Sequence, residues 1–127
     1  MNIYGIGIDI VKISRFSKLI KKKSYLKRIF SKKEIQKCLK KKINLKACFA
    51  KKFAAKEAFS KAIGTGISEG LNFHEIEIDN EKNGKPLIRL KNKSSKKIKF
   101  ILKNNYSLNL TISDEKEYAI AMVLISK

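Results

Sequence analysis

The sequence lacks the features of a membrane or secreted protein. Ala119 to Ile125 is an apolar run of only seven residues, whereas a membrane-spanning helix needs about 18. The N-terminus has no basic start followed by an apolar stretch, so we predict no secretory signal. Two cysteines, Cys38 and Cys48, lie outside any metal-ligand spacing. We therefore expect a cytoplasmic chain with two reduced, inert thiols and no membrane partner.

Common catalytic motifs are also absent. The chain has no GxxxxGK[ST] or GxGxxG loop, no CxxC or HExxH, and no candidate Ser-His-Asp set. Its lone histidine, His74, alternates with Ile76 and Ile78, which predicts a structural role on a strand. No repeat, low-complexity tract or Pro/Gly/Ser-rich linker interrupts the 127 residues, and 43% of them are hydrophobic. That length and composition predict one domain over residues 1–127 with a real core.

Acidic residues are scarce, and the balance of charge is strongly positive. Thirty Lys or Arg stand against eleven Asp or Glu, a formal net charge of +19. In residues 1–50, fifteen cations face only Asp9 and Glu34. Such a field attracts nucleic acid, acidic lipid or an acidic protein. Lys, Ile and Asn are abundant while Arg occurs three times, so an AT-rich genome explains much of the charge equally well.

The first fifty residues predict one strand and two helices. Alternation from Ile3 to Asp9 indicates a strand that places Gly5, Gly7 and Asp9 on one face. The glycines leave room either for close packing against a helix or for something other than side chains. A helical period follows from Val11 to Lys23, with a basic stripe opposite its apolar one. That stripe consists of Lys12, Arg15, Lys18 and Lys22, and a charged helical face is usually just solvated.

The remaining pattern predicts an α+β domain with an antiparallel sheet. Ser31 and Glu34 form a capping box at the start of a helix that runs to about Lys42. The other predicted elements are a helix from about Lys46 to Ile63 that ends at Gly64, strands over Phe73–Asp79 and Leu87–Lys91, a helix over Ser95–Lys103, and a hairpin of Ser107–Ser113 with Tyr118–Ile125.

Two carboxylates and a lysine are the best candidates for chemistry. Phe53, Glu57 and Lys61 follow one another at i+4 spacing, so they lie on one face of the long helix. Alone, Glu57 and Lys61 would be an ordinary surface pair. With Asp9, however, Glu57 offers the few oxygen ligands by which proteins usually hold magnesium beside a substrate phosphate. A nearby lysine then neutralises a phosphate oxygen.

Two segments identify a family. GIGIDIV, residues 5–11, and FAAKEAFSKAIGTGI, residues 53–67, together resemble the signatures of the holo-acyl-carrier-protein synthases, the small single-domain phosphopantetheinyl transferases. The second segment is long and specific. The resemblance extends to residues 31–34, residues 84–86 and the closing strand at residues 118–121. It therefore covers nearly the whole chain.

The resemblance implies a reaction and its residues. It implies a homotrimer with active sites at subunit interfaces, coenzyme A as donor, and a serine of apo-acyl carrier protein as acceptor in fatty acid biosynthesis. Asp9 and Glu57 fall on the Mg2+ ligands, and Glu57 and Lys61 on the catalytic positions. Lys52, Lys61 and Gly64 fall on positions that contact coenzyme A. The general base stays open between Glu57 and a water on the metal ion.

The same resemblance assigns the basic stripe and marks departures. Arg15, Lys18 and Lys22 become a dock for the acidic carrier protein, and Gly5 and Gly7 become clearance beside the metal site. Lys52 stands where arginine is common, and lysine lacks its bidentate fork. The family often has histidine where this chain has Asn109, and sometimes where it has Asp114, so we assign neither a role.

Two other functions remain open at this point. A basic nucleic-acid-binding module, for example one associated with ribosomes, would account for the charge, but no recognition motif or aromatic stacking platform supports it. A degenerate relative that only binds carrier protein is the other. The retained Asp9, Glu57 and Lys61 argue against the second, so we predict no nucleic-acid partner and an active enzyme.

Overall fold

A computed structural model of the chain describes residues 1–64 and 70–127. Thr65 to Ile67, the end of the long family segment, lie outside the described residues. The structure contains the following elements in chain order: β1 (Ile3–Lys12), a 3-10 turn (Ile13–Arg15), α1 (Phe16–Leu19), α2 (Lys23–Ile29), α3 (Lys32–Leu39), α4 (Leu45–Ile63), a second 3-10 turn (Phe73–Glu75), β2 (Ile76–Asn80), β3 (Pro86–Leu90), α5 (Asn92–Leu102), β4 (Ser107–Asp114) and β5 (Tyr118–Ser126).

The strands form two antiparallel sheets, and helix α4 packs on the larger one. That sheet has the order β1-β5-β4, while β2 and β3 pair separately. Small side chains on α4, among them Ala54, Ala55 and Ala58, are fully buried, so the helix can approach the strands closely. The α+β class with antiparallel pairing is therefore confirmed. No helix in residues 1–64 and 70–127 combines the length and apolar character needed to cross a membrane.

Gly5 and Gly7 allow β1 to touch the backbone of α4. A Cβ on Gly7 would lie 1.8 Å from the Ala58 carbonyl oxygen, and one on Gly5 would lie 1.9 Å from that of Ala62. Real Cβ atoms do not approach oxygen so closely, so only glycine fits at both positions. The two glycines therefore serve helix packing, and the interpretation that they give clearance to a metal site is wrong.

The predicted helix from Val11 to Lys23 is also wrong. Strand β1 continues to Lys12, because Val11 is buried against the core and pairs with Ala119 of β5. The chain then makes a 3-10 turn, the four-residue α1 and a separate α2. Arg15, Lys18 and Lys22 are all exposed, but they lie on the turn, on α1 and just before α2, so they do not form one helical stripe.

The cysteines are bonded to each other, which contradicts the expectation of two reduced thiols. The Cys38 and Cys48 sulfurs are 2.08 Å apart, and the two Cα atoms 5.6 Å. Cys38 lies in the last turn of α3 and Cys48 in the first turn of α4. Because the intervening loop folds back on itself, residues that are ten positions apart meet in the core. Spacing alone did not reveal this turn.

The other predicted elements are present, although α3 ends at Leu39 rather than near Lys42 and α5 spans Asn92–Leu102 rather than Ser95–Lys103. Helix α3 begins with the predicted capping box of Ser31 and Glu34. Helix α4 ends at Gly64, whose φ of +87° suits glycine. The predicted strand from Phe73 instead begins with a 3-10 turn. His74 lies in that turn and is exposed, so the prediction that it alternates with Ile76 and Ile78 on a strand is wrong.

Candidate active site

Strand β1 and helix α4 bring Asp9 and Lys61 into contact. The Lys61 ammonium donates to the Ile8 carbonyl at 3.0 Å and approaches the Asp9 carboxylate at 3.3 Å. The Asp9 side chain is 17% exposed and that of Lys61 55%. The lysine therefore turns toward the strand and keeps part of its surface open to solvent, where an anion can reach it.

Glu57 completes this cluster on the same face of α4. Burial raises the pKa of the Glu57 carboxyl, and the negative charge of Asp9 raises it further, against the cations Lys61 and Arg15. A carboxyl whose ionisation is disfavoured by a neighbouring carboxylate suits a bound divalent cation, which would offset both charges. Residues 1–64 and 70–127 contain no cluster of three or more His, Cys, Asp or Glu that could hold a metal ion.

An apolar cleft, which we name the Glu57 cleft, adjoins this cluster. Its volume is about 610 Å3, and Phe53, Glu57, Phe73 and His74 are among its lining residues. The Arg15 guanidinium lies 5.9 Å from the centre of the Phe53 ring. Arg15, predicted as a docking residue, is thus placed beside the carboxylates. Lys18 and Lys22 do not line this cleft.

A second cleft, the lysine cleft, lies near the other end of α4. Its volume is about 230 Å3, and Lys41, Lys51, Lys52 and Asp114 are among its lining residues. The Lys52 side chain is buried, and its ammonium donates to the Ile78 carbonyl at 3.0 Å. Burial lowers the pKa of that ammonium. The Lys52 ammonium can offer its other donors to a ligand. The side chains of Lys51 and Lys41 are not buried in this way, and their ammonium groups are more available to an anion.

The two lysines predicted to bind coenzyme A therefore face different clefts. Lys52 and Lys61 are nine positions apart on α4, which is two and a half turns and about 13.5 Å along the axis. Their side chains consequently leave opposite faces of the helix. Gly64 lies at the Lys61 end as the helix cap. The structure brings Asp9, Glu57 and Lys61 together and leaves Lys52 apart from them.

The structure also places the two positions where the family often has histidine. Asp114 lines the lysine cleft, with its carboxylate 3.9 Å from the Lys51 ammonium. Asn109 is exposed and pairs with Leu124 across β4 and β5, so it lies on the outer face of the large sheet. That face is largely apolar, because Ile6, Ile8 and Ile10 of β1 are each more than half exposed.

Sequence reasoning missed a buried ion pair behind both clefts. The Lys56 ammonium, 0% exposed, donates to the Glu34 carboxylate at 2.8 Å. It also donates to the Phe73 carbonyl at 2.7 Å and to the Ile76 carbonyl. Burial lowers the pKa of Lys56 to about 8, although Glu34 opposes the shift. A lysine between two alanines and a glutamate gave no sign that it would be buried, and only the capping box pointed to Glu34.

Comparison with known proteins identifies the class of this fold and site. A model of the 4'-phosphopantetheinyl transferase superfamily matches residues 5–123. The match spans both signature segments, with Asp9 in the first and Glu57 and Lys61 in the second. The fold and the site thus define an enzyme of the phosphopantetheinyl transferase class.

Individual relatives narrow this class to one family. The holo-[acyl-carrier-protein] synthase of Pelagibacter ubique is 48% identical, over 100% of this chain and 99% of that protein. The crystal structure of the Neisseria meningitidis synthase superimposes with a TM-score of 0.87 at 35% identity, covering 98% of this chain and 99% of the other. The Helicobacter pylori synthase in complex with coenzyme A gives 0.81 at 39%, covering 95% and 99%. The chain belongs to the holo-[acyl-carrier-protein] synthase family.

Proposed function

We propose that the protein transfers the 4'-phosphopantetheine arm of coenzyme A to a serine of apo-acyl carrier protein, which prepares the carrier for fatty acid biosynthesis. The observation that carries this proposal is the meeting of Asp9, Glu57 and Lys61 at the contact of β1 with α4. The Helicobacter pylori relative was solved with coenzyme A, which supports the same donor here.

Asp9 and Glu57 are the residues that would hold Mg2+. The donor set fits, because two neighbouring carboxylates offer oxygen ligands and leave most coordination positions to water and substrate phosphate. When bound, the ion supplies charge neutralisation at the pyrophosphate. Asp9 is held in place by the strand that Gly7 fastens to α4. Glu57 projects from α4 itself, so both ligands rest on the same rigid contact.

The transfer exchanges one phosphorus–oxygen bond for another. The carrier serine hydroxyl loses its proton to Glu57 or to a water, and its oxygen bonds to the β-phosphorus in line. The bond from that phosphorus to the adenosine half breaks, and adenosine 3',5'-bisphosphate leaves. The Lys61 ammonium, half exposed beside Asp9, can release its contact and offset the negative charge that develops on the phosphate. The sequence motifs and the geometry both support Lys61 as the residue for this task.

The split between the two clefts supports a site shared by subunits. A coenzyme A molecule that contacts both Lys52 and Lys61 cannot do so on one α4, since the side chains leave opposite faces. Two neighbouring subunits could each supply one of them. The apolar outer face of β1, with Ile6 at 55%, Ile8 at 53% and Ile10 at 61% exposure, is the surface that such an assembly would bury. We therefore propose a homotrimer with composite sites.

Carrier protein would approach the Glu57 cleft from its basic side. Arg15 lies over Phe53 at this cleft, and Lys27 and Arg28 line it. An acidic partner would be steered to this rim by charge, and its serine would arrive near Glu57. Lys18 and Lys22, exposed on neighbouring elements, would extend the rim. The dock is then a surface formed by several short elements rather than one helical stripe.

One assay tests the proposed function. The purified chain is incubated with coenzyme A, Mg2+ and apo-acyl carrier protein, and the carrier is weighed by mass spectrometry. We expect the mass to rise by one phosphopantetheine arm, and excess chelator to prevent the rise. Omission of coenzyme A is the control. Transfer that continues in excess chelator would exclude the magnesium site, while no transfer under any condition would exclude the function.

Light scattering tests the assembly. At micromolar concentration we expect a mass of three chains, and a charged substitution on the outer sheet face, Ile8→Glu, should shift it toward one chain with loss of activity. Lys96→Glu on the exposed side of α5 serves as the control. A fully active monomer would contradict the composite site.

A further inference from the structure

The outer edge of β2 is bonded to side chains of two helices rather than to a strand. Within the described residues, β2 pairs only with β3, which leaves the groups on its other edge without a strand partner. The Ile76 carbonyl accepts from the Lys56 ammonium, and the Ile78 carbonyl accepts from the Lys52 ammonium at 3.0 Å. The Ile78 N–H donates to the Glu34 carboxylate at 2.9 Å. Two lysines of α4 and a glutamate of α3 thus take the place of a neighbouring strand.

Lys56 and Glu34 form the central part of this connection. Both side chains are essentially inaccessible, at 0% and 1% exposure. Glu34 uses one oxygen for the Lys56 ammonium and the Ser31 N–H, and the other for the Ile78 N–H. Lys56 spends its donors on Glu34, Phe73 and Ile76. Each of these hydrogen bonds therefore ends on the other member of the pair, on the Ser31 N–H just before α3, or on the backbone between Phe73 and Ile78.

The segment held in this way forms a wall of both clefts. Phe73, whose carbonyl Lys56 binds, lines the Glu57 cleft together with His74. Ile78, whose N–H Glu34 binds, lines the lysine cleft together with Asn80. One buried pair therefore sets the position of two walls, and Lys56 immediately precedes Glu57 on α4.

We propose that the Lys56–Glu34 pair is a positioning device for the transfer reaction: it fixes the segment from Phe73 to Asn80 against α4 and thereby sets the wall that each subunit contributes to the Glu57 cleft and to the lysine cleft. This inference rests on the proposed function. Neither residue touches substrate in it. The pair acts through Phe73 and Ile78, and small displacements of positioned groups are costly to catalysis.

The double variant Lys56→Met with Glu34→Gln tests the device. Removal of one member alone would leave a buried group unpaired and threaten folding, whereas neutralising both is far better tolerated. We expect the folded double variant to lose about tenfold or more in kcat/KM for both substrates, per folded molecule. Amide hydrogen exchange in the peptide that covers residues 73–80 should become faster.

A core variant of unrelated position separates positioning from stability. Leu102→Ala opens a cavity under α5, where Leu102 is fully buried, and leaves the hydrogen-bonding groups of the β2 edge unchanged. It should be destabilised while its kinetic constants per folded molecule stay within about twofold of wild type. Should the double variant fail to fold, Lys56→Gln with Glu34→Gln is taken through the same measurements, because both charges are still removed together and the new amide at position 56 can donate to a carbonyl.

The outcomes are distinguishable from failure of the proposed function. A folded double variant with the same kcat and KM as wild type would overturn the positioning role. If wild type itself transfers nothing, the proposed function fails, and the exchange data alone decide whether the pair holds β2. Unchanged exchange over residues 73–80 would then overturn this inference as well.

Discussion

The two faces of helix α4 use charge in opposite ways. On the face toward β1, Asp9 and Glu57 are drawn together although their charges repel, and the accompanying Lys61 is more than half exposed. On the other face, Lys56 and Lys52 are buried and their ammonium groups are bonded to carbonyl oxygens and a carboxylate.

This difference separates a site from its support. Charges that repel and remain accessible indicate a place that a ligand can complete. Charges that are buried and satisfied indicate a structural connection. Four predictions test this contrast, in order of expected effect.

The largest effect should come from the carboxylates on the β1 face. Asp9→Asn and Glu57→Gln each remove one charge with little change in shape, and we expect each to lower transfer by roughly 10²–10³-fold, as for loss of other groups that stabilise transition-state charge. Circular dichroism and initial rates check this. Glu117→Gln, at an exposed position of the last hairpin, is the control and should keep full activity.

The second effect concerns the strand–helix contact under the site. Gly7→Ala would place a methyl 1.8 Å from the Ala58 carbonyl, so β1 must shift, at a cost of about 3 kcal/mol or more. Gly84→Ala meets no neighbouring atom but keeps a φ of +92° and should cost about 1 kcal/mol. Urea unfolding measures both. Equal losses in the two variants would contradict the close-packing explanation.

The third effect concerns the carrier dock. Arg15→Glu should raise the carrier KM about tenfold, because it reverses a rim charge beside Glu57, and Lys18→Glu and Lys22→Glu should raise it less. The maximal rate should change least for Lys18→Glu and Lys22→Glu. In all three variants the salt dependence of the carrier KM should become shallower. Lys96→Glu makes the same change of charge on α5 and is the control. If all four variants behaved alike, the rim would be only a solvated surface.

The smallest effect concerns acid stability on the opposite face. Although burial works in the opposite direction, hydrogen bonds from Lys33 and Lys37 hold the pKa of Asp79 below its usual range. A carboxyl with a lowered folded pKa stabilises the fold above its unfolded pKa, about 4, and loses that contribution as pH falls. We therefore expect stability to fall below about pH 4, and less steeply in Asp79→Asn. Urea unfolding across this range checks it; identical acid profiles would contradict it.

Local patterns predicted the elements whose signals lie within a few residues of each other. The capping box placed the start of α3, and Gly64 placed the end of α4, since each acts on its own helix terminus. The last hairpin was predicted almost to the residue because alternation there matches a half-buried sheet. The resemblance to the family signatures predicted that Asp9 and Glu57 belong to one site.

The wrong predictions concern residues whose conformation or burial depends on partners far away in the sequence. The residues that follow Val11 have a helical period in the sequence, but pairing with Ala119 keeps Val11 in β1. Cys38 and Cys48 meet because a loop folds back, and Lys56 is buried because Glu34 and two carbonyls from a later segment receive it. None of these partners is visible in a local window, so period and spacing could not supply them.

The Cys38–Cys48 bond has a consequence for how the chain withstands proteolysis. Between the two cysteines lie Lys40, Lys41 and Lys42, all exposed, in a loop that a trypsin-like protease can reach. A cut there opens the backbone but cannot release either part, because the disulfide still joins α3 to α4. Nicked molecules would run as one band on a non-reducing gel and as two after reduction. A cut in this exposed loop therefore need not separate the elements that line the two clefts.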